Sequence, residues 1–262
     1  MKPTLVIPIY NLHGARIRNL LSSISLQTVE AETILVDYGS ENEGHLKLVE
    51  TVEPYDVELI YVPDVEWSVP RACNIGIRKA GGEVIIKVDA DNILEPHTLE
   101  DTLEYVTKHS FVIRQPKFIR KGFPMENLKL PQDYPKIREA KYDYWLPSYG
   151  GFFAVHRDWW HKVHGYDERY IWYGCNDWDI WNRAVRSGLK RYIFGEPGLK
   201  DMKGISPYKQ DTFVYHQWHP LPPERLGISE EFFEQYREKN RQIYNGASSI
   251  VRNTETWGGL IK

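Results

Sequence analysis

Asp89 and Asp91 stand one residue apart at the end of an apolar run, Glu83 to Val88, which Gly81 and Gly82 precede. A β-branched stretch of this length between turn residues predicts a short buried strand. Alternation places both carboxylates on one side as the chain leaves the sheet, with Lys87 on the same side as Asp89. Two hard oxygen ligands at a strand end suit Mg²⁺ or Mn²⁺, whose remaining positions substrate phosphates can fill. The competing reading is a solvated turn after a core strand. Far downstream, the stretch Thr212 to Pro220 brings in two imidazoles, His216 and His219.

The elements that must position these groups alternate. Leu5–Ile9 reads as a buried strand, and Arg16–Leu26 carries Ile17, Leu20, Leu21 and Ile24 at helical spacing. A strand over Thr33–Asp37, a helix near Gly44–Val52, a strand over Val57–Val62 and a helix over Pro70–Ala80 follow. Strand, helix, strand, helix predicts a parallel sheet, and open α/β sheets bind ligands outside the carboxyl ends of their strands. The half up to Asn92 is therefore nucleotide-binding in character, yet it has neither a G-x-G-x-x-G fingerprint nor a G-x-x-x-x-G-K loop. Beyond it we expect a helix over Glu95–His109, a strand over Phe111–Arg114 and an irregular acceptor-binding stretch over Pro116–Pro147. Next come a strand over Gly150–Val155, a short helix over Arg157–Val163, a helix ending near Gly188 and a strand over Leu189–Phe194. Gly195–Ser206 reads as a lid, and Glu230–Tyr244 as an amphipathic helix. These pieces predict one domain over residues 1–220 and an extension over residues 221–262.

Composition narrows the partners. A net charge of −3 gives no global reason to expect nucleic acid, and no apolar run is long enough to span a bilayer, so membrane contact is at most peripheral. Aromatic residues make up 13% of the chain, and many lie between Tyr142 and Trp181, where flat rings would suit sugars. Cys73 and Cys175 form no disulfide framework, and no signal-peptide pattern precedes the first strand; a reduced, cytoplasmic setting is expected.

With these pieces placed, the chain resembles nucleotide-sugar glycosyltransferases of the GT-A fold, family-2-type, with a galactosyltransferase C-terminal-like motif. The resemblance covers about residues 3–220. It implies an α/β fold with a Rossmann-like nucleotide-binding half and a mixed central sheet. Leu5 to Asn11 is similar to the family's opening strand, which sets Pro8 and Tyr10 beside the nucleotide. Leu35-Val36-Asp37-Tyr38-Gly39-Ser40 resembles V-D-D-G-S, in which the first Asp contacts the base. Arg71-Ala72-Cys73-Asn74-Ile75-Gly76 is similar to A-R-N-x-G, with its Arg two places early, and implies Arg71 and Asn74 as donor contacts. Asp89-Ala90-Asp91 matches the metal-binding D-x-D. Asp89 and Ala90 then also line the donor, and Lys87 is a counter-ion or phosphate contact unless it snorkels from a sheet edge. The resemblance implies His216 as third metal ligand, with His219 its competitor.

Gly151 to Val155 and Gly165 to Glu168 resemble the segments that line the acceptor side, and Tyr173 to Asp179 resembles the W-G-G-E-D-D-D signature. This implies Asp177 as general base, with Gly151, Trp172, Tyr173, Asn176 and Asp179 toward the sugars; the competing reading of Asp177 is a helix cap. The expected activity is inverting, metal-dependent transfer from a UDP-sugar to a hydroxyl of a glycan or glycoconjugate. Two other readings compete. A nucleotidyltransferase would need a basic glycine-rich loop near the N-terminus, and an inactive carbohydrate-binding protein would have no need of intact Asp89, Asp91, Asp177 and His216.

Overall fold

The computed structural model describes residues 2–143, 150–195, 205–207, 209, 211–220 and 222–259. Its first half runs β1 (Pro3–Ile9), α1 (Ala15–Ser25), β2 (Glu32–Tyr38), α2 (Asn42–Val52), β3 (Glu58–Val62), α3 (Val69–Lys79) and β4 (Val84–Val88). Every residue of β1 and β4 is buried, which is why both read as near-continuous apolar runs rather than alternating ones. Helix α3 starts where Ser68 Oγ accepts the Arg71 amide at 3.3 Å and Pro70 presets the first turn. Its Gly76 is the point of closest approach to the sheet, since a Cβ there would lie 2.5 Å from Val6 Cγ1.

The chain continues through β5 (Asn92–Leu94), α4 (Thr98–Tyr105), β6 (Ser110–Arg114), β7 (Lys117–Ile119), α5 (Tyr134–Arg138), β8 (Tyr142–Asp143) and β9 (Phe152–His156). It then adds α6 (Arg157–Val163), α7 (Asn176–Arg186), β10 (Lys190–Gly195), β11 (Ile205–Pro207), β12 (Val214–His216), α8 (Pro222–Leu226) and α9 (Glu230–Gly246). Eight strands form one sheet in the order β11-β10-β6-β9-β4-β1-β2-β3. All neighbours pair parallel except β9, which is antiparallel to both β4 and β6, so the sheet is mixed. One apolar core lies on each face.

A second sheet, β5-β12-β7-β8, lies over its own small core of Ile93, Ile119, Tyr134, Ile137 and Tyr215. The sequence reading missed it. The expected irregular stretch from 116 contains two of its strands and a helix, and the expected helix from Glu95 begins only at Thr98 because Asn92–Leu94 pairs with β12. Three-residue strands carry too little pattern to be read locally; each exists because of its partner. Most of the expected lid, residues 196–204, lies outside the described residues, as do residues 144–147 of the expected acceptor stretch.

The C-terminal segment folds back on the sheet domain. Leu226 and Trp257 belong to the same core as Val6 and Phe153. Asn253 Nδ2 donates to the carbonyl of His164 at 2.6 Å, the Gly258 amide to Glu168 Oε1 at 2.7 Å, and Asn240 Nδ2 to the carbonyls of Ile171 and Tyr173 at 2.8 and 2.9 Å. Among the described residues no helix is long and apolar enough to cross a membrane.

Candidate active site

The turn Asp89–Asn92 sits between the two sheets and is held from both. The Asp89 amide and Asn92 Nδ2 both donate to the Gly151 carbonyl, at 2.9 and 2.7 Å, and the Gln217 amide donates to the Asp91 carbonyl at 2.8 Å. Because β5 runs antiparallel to β12 with Asn92 opposite His216, the turn brings Asp91 beside the end of β12. Asp91 Oδ2 is 3.1 Å from His219 Nε2, Asp91 Oδ1 is 3.5 Å from His216 Nε2, and the two Nε2 atoms are 3.2 Å apart.

These three side chains fit a divalent cation. His219 Nδ1 lies 2.6 Å from the Pro220 carbonyl, an acceptor only, so Nδ1 carries the proton and the Nε2 lone pair faces Asp91. Asp91 Oδ1 is buried with no hydrogen-bond partner. A carboxylate and imidazole lone pairs pointed at one another repel unless a proton or a cation lies among them. Burial opposes ionisation of Asp91, but positive charge among these groups, a proton on His216 or His219 together with Arg225, outweighs it and holds the carboxyl well below the usual carboxylate range; a cation would take the place of that proton. Burial lowers the His216 pKa, which keeps its imidazole neutral and able to ligate. Arg16, whose Nη1 is buried without a hydrogen-bond partner, and Arg225 add positive charge near Asp91. No sequence signal singled out either arginine.

Asp89 is placed differently from the expected metal set. Among the described residues the only cluster of potential metal ligands is Asp91, His216 and His219. Asp89 Oδ1 is instead hydrogen-bonded to Lys87 Nζ, which also donates to the Gly150 carbonyl at 2.5 Å. Lys87 does not snorkel from an edge: β4 lies between β1 and β9, and Lys87 is 2% exposed. Burial alone would lower its pKa; the carboxylates of Asp89 and Asp177 outweigh that and keep the ammonium charged.

Asp177 completes this chain of charges. A Cβ at Gly150 would lie 1.9 Å from Asp177 Cγ, so the carboxylate occupies the space that only glycine leaves free. The loop before α7 turns through left-handed backbone at Trp172 (φ 60°), Gly174 (φ 100°) and Cys175 (φ 66°), which delivers Asp177 in the first helical turn. Asp177 is not a cap, because Cys175 holds the N-cap position and no side chain caps the helix. Burial raises its pKa, Lys87 opposes that, and the net direction is upward. Asn176 Nδ2 donates to Asp177 Oδ1 at 3.0 Å. We expect Gly150→Ala to displace this carboxylate and lower kcat about 100-fold, the scale of a 1 Å misplacement, without loss of UDP affinity. Steady-state kinetics and calorimetry of that variant check the point.

Around the ends of β1 and β2, Pro8 is buried opposite Val36, and the Tyr10 ring stacks on Trp67 at 5.4 Å with the edge of Trp172 at 5.9 Å. Asp37 is 0% exposed, with Oδ2 2.8 Å from His45 Nδ1 and Oδ1 without a partner. Ala90 is buried between the two aspartates of the turn. Two expected donor contacts are used internally. Asn74 Nδ2 donates to the Tyr166 carbonyl and to Glu168 Oε1 at 2.9 and 2.8 Å, and its Oδ1 accepts the Tyr166 amide at 2.7 Å. With no free polar atom, Asn74 clamps α3 to the 165–168 turn rather than offering a hand to a nucleotide. Arg71 Nε donates to the Glu168 carbonyl at 3.0 Å and joins the same clamp.

On the other side, Gly151 packs close to Asp89, and Tyr173 is 44% exposed beside Phe233. Trp172 is half-buried against Phe232, its amide donating to the Trp67 carbonyl at 2.9 Å. Asp179, expected near the sugars, is 1% exposed and faces away, pairing with Arg252 Nη2 at 2.9 Å and Arg183 Nη1 at 3.3 Å. Two residues span about half a helical turn, so Asp179 lies on the opposite face from Asp177 and looks into the core. Asp179→Ala leaves two buried guanidiniums short of a partner and is expected to cost about 3 kcal/mol of stability in chemical denaturation, with UDP affinity of the folded protein retained. Unchanged stability with lost transfer would return Asp179 to the sugar side.

Comparison with known proteins places the chain in a family. Residues 4–165, more than half of the chain, match the family described as glycosyl transferase family 2. The chain belongs to glycosyl transferase family 2. Residues 134–209 also match the family described as the N-terminal domain of galactosyltransferase. An uncharacterized glycosyltransferase of Haemophilus influenzae is 24% identical over 136 residues, 51% of this chain and 54% of its own length. This family 2 chain thus spans about half the length of that curated relative. Among solved structures, TarS of S. aureus (residues 1–349) in complex with UDP superposes with a TM-score of 0.54 at 17% identity, over 95% of this chain and 73% of that one. The mannosyltransferase PcManGT of Pyrobaculum calidifontis, in complex with GDP-Man and Mn²⁺, gives 0.53 at 18% identity, over 82% and 56%. At such identities these structures establish the GT-A fold.

Proposed function

We propose that this family 2 member transfers a sugar from a UDP-sugar to a hydroxyl of a glycan or glycoconjugate, with inversion and with a divalent metal. The observation that carries the reading is the arrangement of Asp91, His216 and His219 on one side of Lys87 and Asp177 on the other. Similar folds that hold UDP, or GDP-Man with Mn²⁺, favour a nucleotide-sugar donor and a metal. Two imidazoles and one carboxylate suit Mn²⁺ better than Mg²⁺, which prefers all-oxygen shells. When bound, such an ion neutralises charge on the nucleoside diphosphate leaving group.

The chain's own residues do the rest. Asp91, His216 and His219 would hold the ion, and Arg16 and Arg225 would add positive charge for the diphosphate. Tyr10 and Asp37 border the nucleoside, with the aromatic cluster of Trp67 and Trp172 beside them. Asp177 takes the acceptor hydroxyl proton as that oxygen forms its bond to the anomeric carbon. The bond from that carbon to the diphosphate oxygen breaks, and its electron pair leaves with UDP. A desolvated carboxylate with a raised pKa is a better base than an ordinary aspartate. Lys87 stays as the fixed positive charge that faces Asp89 and Asp177. Free cysteines, one of them buried, fit the reduced cytoplasmic setting that we propose.

Direct displacement fixes the stereochemistry. Proton NMR of the first product from an α-linked UDP-sugar is expected to show the β anomer. An α product would defeat the mechanism.

A further inference from the structure

We infer that His45 is a positioning residue for the nucleobase: it grips one oxygen of Asp37 so that the other, bare oxygen must meet an N–H on the base edge. The inference rests on the proposed reading of the β1 and β2 ends as the nucleoside site. Asp37 is 0% exposed, its Oδ2 lies 2.8 Å from His45 Nδ1, and its Oδ1 is buried without a partner. A carboxylate can only accept, so Nδ1 carries the proton. The His45 ring lies flat on Tyr61, 3.5 Å between centroids at 6°, which fixes its plane. Tyr61 is itself tied down, its hydroxyl donating to the Ser40 carbonyl at 3.1 Å, and Ser40 Oγ accepts the Asn11 amide at 2.7 Å. The assembly spans β2, α2 and β3 and, with the Ser40 hydroxyl also acting on the carboxylate, leaves Asp37 Oδ1 as its buried oxygen without a partner.

A buried polar atom without a partner is costly, and a ligand that completes it gains accordingly. Uracil presents N3–H at its pairing edge, whereas cytosine N3 and adenine N1 present lone pairs that Asp37 Oδ1 would repel. The choice of base then depends on Asp37 staying ionised, because a protonated carboxyl could turn an O–H toward the base instead. Burial pushes the Asp37 pKa up, and Ser40 and His45 pull against it. From β3 the facing group is Tyr61, which also senses Asp64. Without His45, the Asp37 pKa rises further, and affinity for UDP is lost at a higher pH as the solution is acidified.

The probe is UDP, titrated calorimetrically in the presence of Mn²⁺ into the full chain across neutral and mildly acidic pH. His45→Phe keeps the ring on Tyr61 but removes the donor; it is expected to weaken UDP about 10-fold and to shift the acid limb of binding upward. His45→Asn, which returns an N–H near the Nδ1 position, is expected to restore most of the affinity and the original pH profile. Wild-type-like binding by His45→Phe at every pH would overturn the inference. So would equal loss in both variants with an unmoved pH profile, which would make His45 a packing residue. Asp37→Ala and N3-methyl-UDP separate the two levels. If Asp37→Ala binds UDP normally and wild type binds N3-methyl-UDP as well as UDP, the nucleoside reading itself fails. If Asp37→Ala loses UDP while His45→Phe does not, only the role of His45 falls.

Discussion

Asp177→Asn is expected to lower the turnover of sugar transfer by about 10²–10⁴-fold, the range that a positioned general base contributes, while UDP affinity stays near wild type. Asparagine fills the same space against Gly150 and can still face Asn176, so the loop and the first turn of α7 keep their packing. What disappears is the group that can take a proton. The same carboxylate should set the acid limb of the wild-type profile. Its folded pKa lies above the ordinary aspartate value because burial outweighs the pull of Lys87, so the base is charged and active above that pKa. Activity should therefore fall away, as the solution is acidified, at a higher pH than an exposed aspartate would give. Wild-type-like turnover by the variant would remove Asp177 from the chemistry.

Asp91→Ala should have the second large effect. Removing it leaves His216 and His219 without the only carboxylate within ligand range among the described residues. Even loss of an outer-shell partner typically costs 10–100-fold in metal affinity, so losing a ligand should weaken Mn²⁺-dependent UDP binding by at least about 100-fold. Asp89→Ala should weaken it less, because Asp89 is already engaged by Lys87. A larger effect at Asp89 than at Asp91, read by titrating Mn²⁺ against UDP binding, would show that Lys87 releases Asp89 to the metal and that the arrangement described here is not the working one.

Much of this was legible in the residues. The buried strands β1, β2, β4 and β9 read correctly because their runs are almost wholly apolar, and helix α1 followed its apolar spacing and α3 its proline in the first turn. The Asp89-Ala90-Asp91 turn and the late histidines stood out by residue type, and the resemblance to the family supplied their metal role. What stayed hidden depended on partners distant in sequence. The pairing of Asn92 with His216 builds the second sheet and decides that His219 joins Asp91, and neither three-residue strand announces it. Asn74 and Asp179 match a family pattern in type, yet each is consumed by a contact with a segment far away, the 165–168 turn and Arg252 respectively. Lys87 was legible as a counter-ion on the Asp89 side or as a side chain snorkelling from an edge; that β4 is central and its ammonium meets Asp89 and the Gly150 carbonyl decides for the counter-ion. His45 carried no pattern at all; only the burial of Asp37 gives it meaning.

The most direct test of the central claim is release of nucleoside diphosphate from a panel of UDP-, GDP- and CDP-sugars, measured with Mn²⁺, after chelation, and after Mn²⁺ is restored. Release from a UDP-sugar that stops on chelation and returns with Mn²⁺ is the expected result. Release that survives chelation unchanged, or that is confined to a donor other than a UDP-sugar, would contradict it.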